Sequence, residues 1–238
     1  MSIQSVDHLE FARPAQPAEP PPLNSGDHLT RQEFEQRYEA HPEIKKAELI
    51  EGVVYMPSPA RFRQHSMPHF RVITWLGTYA TKTPGTAGGD NATVRLDFEN
   101  EVQPDALLRI EPAHGGKSRV TEDDYLEGPP ELIVEIAASS AAYDMHIKRR
   151  VYARSGVQEY LVVQVYEQQL DWFVLREGIY ESFTADDKGV LRSEVFPGLW
   201  LQTEALWSGD MAAILATLQA GLASAEHADF VSLLQAQS

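Results

Sequence analysis

No cysteine occurs anywhere in the 238 residues. That absence excludes structural disulfides, thiolate metal sites and cysteine nucleophiles. Long apolar runs are missing too, none approaching the roughly eighteen residues a membrane span needs. The N-terminus lacks a basic start followed by an apolar core, so no secretory leader is read there and a cytoplasmic protein is expected. Positive charge is scarce: 20 Lys and Arg against 35 Asp and Glu give a formal net charge of −15. Such a balance repels polyanions at long range. A nucleic-acid function would therefore need a local basic surface, and the chain offers one. Between Glu51 and Asp90 no acidic residue occurs, while Arg61, Arg63, Arg71 and Lys82 all fall there. The bland reading, a stretch that lacks acids by chance, stands beside it.

What remains is the composition of a globular domain with tails, 43% hydrophobic and 23% charged. Residues 1–27 carry Pro14, Pro17, Pro20, Pro21 and Pro22 with few large apolar side chains, as in a solvated lead-in. Thr30 and Glu33 form a capping box, and Leu29 with Phe34 a hydrophobic staple, so a helix starts there and runs to about Ala40. Residues 46–56 read as a strand, a turn on Gly52 and a second strand. A helix is predicted over 68–82, with Val72, Leu76 and Tyr79 on one face, followed by a loop with Gly85, Gly88 and Gly89. Val94, Leu96 and Phe98 alternate with polar residues as in a half-buried strand. Another strand follows Pro104.

Residues 131–138 form an almost continuous apolar run, the pattern of a central strand covered on both faces. A helix over 141–155 ends at Gly156, and three strands with short turns follow from Glu159. Met211, Ile214, Leu215, Leu218 and Leu222 then share one helical face, which suits packing on the domain or a homodimer surface. The order predicts an α/β domain over 28–208, a mixed β-sheet core flanked by helices, with a helical segment over 209–238.

One acid, Glu135, interrupts the central apolar run. A carboxylate in a buried strand is costly unless it is paired or holds a metal. Asp105, directly after Pro104, starts its own strand and can project into a shared cleft. Two carboxylates from neighbouring strands make a hard oxygen site suited to Mg²⁺ or Mn²⁺. The helix after Glu135 sets Asp144 and Lys148 four residues apart, with Tyr152 continuing that face. Lys148 is read either as a surface partner of Asp144 or as an ammonium aimed at the cleft. Arg149, Arg150 and Arg154 add charge nearby.

The run ELIEGVVYMPSPA, His65, QPD, LIVEIAASS and YDMHIKRRVYARSGVQEYLVV together resemble the Uma-two restriction endonuclease family, assigned to the PD-(D/E)XK nuclease superfamily. The likeness spans roughly residues 29 to 200. It implies a restriction-endonuclease-like fold and metal-dependent hydrolysis of DNA phosphodiesters. Asp105 and Glu135 would be metal ligands, joined by the backbone carbonyl of Ile136. Lys148 would be a catalytic lysine moved from the strand to the following helix, since Ala137 stands where E-x-K would place it. Glu48 matches an early acid that would complete the metal shell and is counted with the catalytic residues. His65 matches a histidine near phosphate, which with Arg61, Arg63 and Arg71 would contact DNA. A nuclease fold that binds nucleic acid or a protein partner without cutting is the alternative. Gly156, Val157, Glu159 and Tyr160 are read as fold residues.

Overall fold

The computed structural model describes residues 19–138 and 144–237. The capping box forms as expected: the Thr30 side chain accepts from the Glu33 N–H, and the Thr30 N–H donates to Glu33 at 2.9 Å. It opens α1 (Arg31–Ala40), which buries Phe34 completely. β1 (Glu48–Ile50) and β2 (Val53–Tyr55) form a hairpin, with Glu51 and Gly52 in its turn at φ of 50° and 73°. A long helix, α2 (Met67–Lys82), follows a π-helical turn over Phe62–Ser66.

The hairpin belongs to a peripheral sheet with β4 (Val94–Arg95), β5 (Glu101–Val102), β7 (Arg119–Val120) and β8 (Leu126–Glu127), in the order β2-β1-β5-β4-β8-β7. The central sheet contains β3 (Thr86–Asp90), β6 (Ala106–Ile110), β9 (Leu132–Ala137), β10 (Glu159–Gln164), β11 (Gln169–Arg176) and β12 (Ile179–Ser182). Its order is β12-β11-β10-β9-β6-β3. β9 runs parallel to β10 and antiparallel to β6, so the sheet is mixed.

β9 is apolar on both sides because both sides are covered. Leu132, Val134 and Ile136 join the core beneath α2, with Trp75, Leu76 and Tyr79. Ile133 and Ala137 join the opposite core, beneath α3 (Arg149–Ser155), with Val151 and Tyr152. Strand alternation puts Glu135 on the α3 side. α3 continues from a π-helical turn over Asp144–Lys148 and stops at Gly156, whose φ of 87° favours glycine. The first residues of the helix predicted from 141 lie outside the described residues.

Several expectations shift. The Gly88–Gly89 stretch is strand β3, paired with β6; a Cβ on Gly89 would come within 3.2 Å of the Leu107 side chain, so the glycine permits the close approach. The strand at Val94 ends after two residues, because the Leu96 and Asp97 N–H groups turn back onto the Asn100 carbonyl. Phe98 is consequently 84% exposed instead of half-buried. Leu23, inside the expected tail, is buried in a cluster with Phe34 and Leu49, so the packed chain begins before residue 28. A hairpin of β13 (Val190–Arg192) and β14 (Trp200–Gln202) follows, unforeseen, with a short helix α4 (Thr203–Ser208). α5 (Met211–Leu222) buries Ile214 and Leu218 in the core of its own domain, and α6 (Ala225–Ala236) closes the described chain. Among the described residues no helix is long and apolar enough to cross a membrane.

Candidate active site

The β6–β9 register pairs Ala106 with Val134. Continued by one step, it sets Asp105 opposite Glu135, and directly opposed residues of an antiparallel pair point to the same face. A further step sets Pro104 opposite Ile136. Proline has no N–H, so it supplies the Ile136 carbonyl with no ladder donor. The Ile136 N–H donates instead to Asp105 Oδ2, at 2.8 Å. The Pro-Asp dipeptide thus ends the ladder and anchors the Asp105 carboxylate over β9.

The same device closes the other end of this strand pair. Pro130 falls opposite Ile110 in the same register, and the Glu131 carboxylate takes the Ile110 N–H at 2.7 Å and the Lys117 N–H at 3.1 Å. Pro-acid at a strand start is therefore a capping motif in this fold. What distinguishes Asp105 is its other company.

Asp105 Oδ2 lies 3.2 Å from His65 Nε2, and Oδ1 lies 3.5 Å from Lys46 Nζ. Its backbone carbonyl accepts from His69 Nε2 at 2.6 Å. Burial alone would raise the Asp105 pKa. The His65 hydrogen bond, the charges of Lys46 and His65 and the Ile136 N–H outweigh it and hold the carboxyl well below the usual range.

Across the ladder, Glu135 Oε1 accepts from Lys148 Nζ at 2.9 Å and from the Tyr152 hydroxyl at 2.8 Å. Lys148 Nζ also reaches Glu48 at 3.0 Å and Asp144 at 3.8 Å. Glu48 in turn accepts the Gln103 N–H at 2.8 Å, which links the peripheral sheet to the site. All four carboxylates and the lysine are buried. The Asp144–Lys148 pair is therefore an interior contact, where a helix-surface pair had been the bland expectation. Burial pushes Glu135 up to about 8; Lys148 works against the rise, while Asp105, Asp144 and Glu48 add to it. Burial would lower the Lys148 pKa, yet Glu135, Glu48 and Asp144 raise it well above the ordinary lysine value. The three acids thus favour the ammonium form of Lys148, which can donate and stabilise negative charge.

The cluster is rich in hard oxygen donors, and its acid excess is the environment a divalent cation relieves. Among the described residues no group of three or more His, Asp or Glu side chains is arranged to hold a metal ion by itself. The donor set fits a cation that keeps much of its water and takes one or two carboxylates, as Mg²⁺ does. Asp105, Glu135 and the Ile136 carbonyl, left without a ladder donor by Pro104, are the groups that would hold it.

The nearby arginines turn away. Arg149 lies over the Phe173 ring at 4.3 Å, while Arg150 and Arg154 reach Glu51 at 3.4 and 3.3 Å. Arg61 and Arg63 are exposed. Arg71 is half-buried and donates to the Leu206 carbonyl at 3.1 Å. Sequence reasoning missed Lys46 and His69. Both had a signal: Lys46 stands two residues before Glu48 on extended chain, and His69 stands one helical turn after His65. Glu159, read as a fold residue, is one: it accepts from Ser193 Oγ at 2.7 Å and from the Glu194 and Val195 N–H groups at 2.7 and 3.0 Å.

A solved structure described as a "putative nuclease belonging to DUF820 from Anabaena variabilis ATCC 29413" superposes with a TM-score of 0.55. It shares 14% identity, and the match covers 76% of this chain and 98% of the other, so the likeness is one of fold. No curated protein matches the chain. The family model Uma2, described as "Putative restriction endonuclease", matches residues 31–204, well over half the chain and every candidate residue above, and the protein belongs to that family.

Proposed function

We propose that the protein is a metal-dependent endonuclease that hydrolyses DNA phosphodiester bonds. The observation that carries this reading is the buried set of Glu48, Asp105, Glu135 and Lys148, assembled from four separate segments on one side of the central sheet. A helical lysine brought back to the acid of the central strand is costly to build and has no use in a merely structural strand cap, as Glu131 illustrates. Membership of a family described as "Putative restriction endonuclease" supports the same chemistry and suggests DNA as substrate.

A bound Mg²⁺ or Mn²⁺ would supply charge neutralisation at the scissile phosphate and a more acidic water. The chain's own groups do the rest. Asp105 and Glu135 supply oxygens for the cation. Lys148, in its ammonium form, stabilises negative charge that grows on the phosphate oxygens during attack. Tyr152 fixes the Glu135 carboxylate by its hydroxyl, and the Gln103 N–H fixes Glu48.

Purified protein is titrated with Mn²⁺ by calorimetry and then incubated with plasmid and single-stranded DNA. Wild-type protein should bind the ion and cut, whereas Glu135→Ala should bind more weakly and not cut. Undiminished metal-dependent cleavage by that variant overturns the assignment.

A further inference from the structure

The acid-free stretch between Glu51 and Asp90 carries an aromatic feature that neither the carboxylate site nor the core uses. Phe62 is 72% exposed and Phe70 70% exposed. They stand eight residues apart on the helical run that begins at the π turn and continues into α2, about 12 Å of axial rise at helical spacing. Arg61 and Arg63, both exposed, flank Phe62. His65, between the two rings in sequence, reaches Asp105 at 3.2 Å, so this surface is continuous with the candidate active site. Beside it Arg63, Arg71, Met67, Pro68 and Trp207 line a cleft of about 290 Å³. On a chain of net charge −15, this segment offers a polyanion arginines with no acid of its own beside them.

We propose, resting on the nuclease reading and narrowing its substrate class, that Phe62 and Phe70 are a stacking platform for unpaired bases of a single-stranded nucleic acid. Arg61 and Arg63 hold its phosphates. Exposed rings interleaved with arginines suit this occupant: stacking takes any base, and the cations follow the backbone. Base faces within a duplex are covered by their neighbours, so a paired substrate would leave the rings unused.

The test uses the full chain with a labelled oligonucleotide, single-stranded or annealed to its complement, in EDTA so that binding is read without cleavage. Fluorescence anisotropy is measured over a range of salt. The single strand should bind tighter than the duplex. Phe62→Ala and Phe70→Ala should each weaken single-strand binding roughly tenfold, the usual scale for one stacked base, with no change in the slope of log affinity against log salt. Arg61→Gln with Arg63→Gln should instead reduce that slope, by about 0.7 per lost contact. Phe62→Trp should keep the affinity.

A double alanine variant that binds like wild type overturns the platform. So does tighter binding of the duplex, or no binding by wild-type protein. A variant that only converts a dimer to a monomer in sedimentation, with oligonucleotide affinity intact, also overturns it and makes the rings a self-contact. Adding Mn²⁺ separates the two claims. Wild-type protein that binds single strands but never cuts refutes the nuclease reading alone. Cleavage alongside unaffected phenylalanine variants refutes the platform alone.

Discussion

Removing the Lys148 ammonium leaves Glu48, Glu135 and Asp144 buried without the cation they share. Breaking a buried ionic cluster in this way costs about 3 to 5 kcal/mol. Lys148→Ala should therefore lower the melting temperature of metal-free protein, and saturating Mn²⁺ should recover part of the loss. Its cleavage rate should fall about 10²-fold, the scale of one transition-state electrostatic contact. Lys148→Arg should rescue poorly, because a planar guanidinium does not replace a compact ammonium enclosed by three acids. Arg150→Ala serves as the control. That side chain is exposed and meets Glu51 at 3.4 Å, so stability should stay within about 0.5 kcal/mol and the rate should not move. Full-rate cleavage by Lys148→Ala would reduce the lysine to a counterion.

At the scale of strands, β6 and β9 carry Pro-acid caps at both ends, which allows capping and chemistry to be told apart. Asp105→Asn keeps an oxygen for the Ile136 N–H but loses the charge. Losing the charge that His65 and Lys46 face should lower the unfolding free energy by about 1.5 to 3 kcal/mol, the scale of a hydrogen bond to a charged group, while cleavage should disappear. Glu131→Ala should spare the rate. It strips the part-buried Ile110 and Lys117 N–H groups of their acceptor, at a total of about 1 to 3 kcal/mol, since water can reach part of what is lost. Denaturant melts and a cleavage assay check both; an Asp105→Asn variant that still cuts would mean that Asp105 is only a cap.

For the whole molecule, stability should depend on pH through its buried acids. Burial raises Glu101 to about 8, and the charge of the nearby Glu35 adds to the rise, against Arg95 and Arg31. The folded chain holds that proton more tightly than the unfolded chain. The resulting stability is fully present below the ordinary glutamate value of about 4.5 and is lost as pH rises through about 8. The melting temperature should accordingly fall between pH 5 and pH 9 (a window set by those two values), and Glu101→Gln should flatten the fall. Glu135, raised to about 8, and Glu159, raised to about 7, both chiefly by burial, leave a residual slope of the same sign. An identical pH profile for Glu101→Gln would show that Glu101 does not keep its proton in the folded chain. Local signals made much of this architecture legible beforehand: the Thr30 cap, the Gly52 turn and the apolar run around Glu135 each act over a few residues. That Asp105 faces Glu135 could only be guessed, because the facing depends on strand register, which no local pattern sets. The paired glycines of β3 carry no strand propensity and are held by pairing with β6. Leu23 looked like tail because its prolines advertise disorder, while its burial comes from a partner cluster distant in sequence. Glu35 and Glu101 meet through Arg95, at 2.8 and 3.5 Å, although 66 residues separate them, out of reach of any periodicity.

Two amides of the central ladder, Ile136 and Ile110, donate to carboxylates where their neighbours donate to peptide carbonyls. In a nitrogen-15 correlated NMR spectrum both should resonate downfield of ordinary strand amides and exchange slowly with deuterated solvent. Only the Ile136 signal reports on a carboxylate that also faces His65 and Lys46. Ile110 is its built-in reference, seated on the same pair of strands at the far end. A cation or phosphate arriving at Asp105 would move one peak and leave the other still, so occupancy of the site can be followed by nuclear resonance with no substrate turned over.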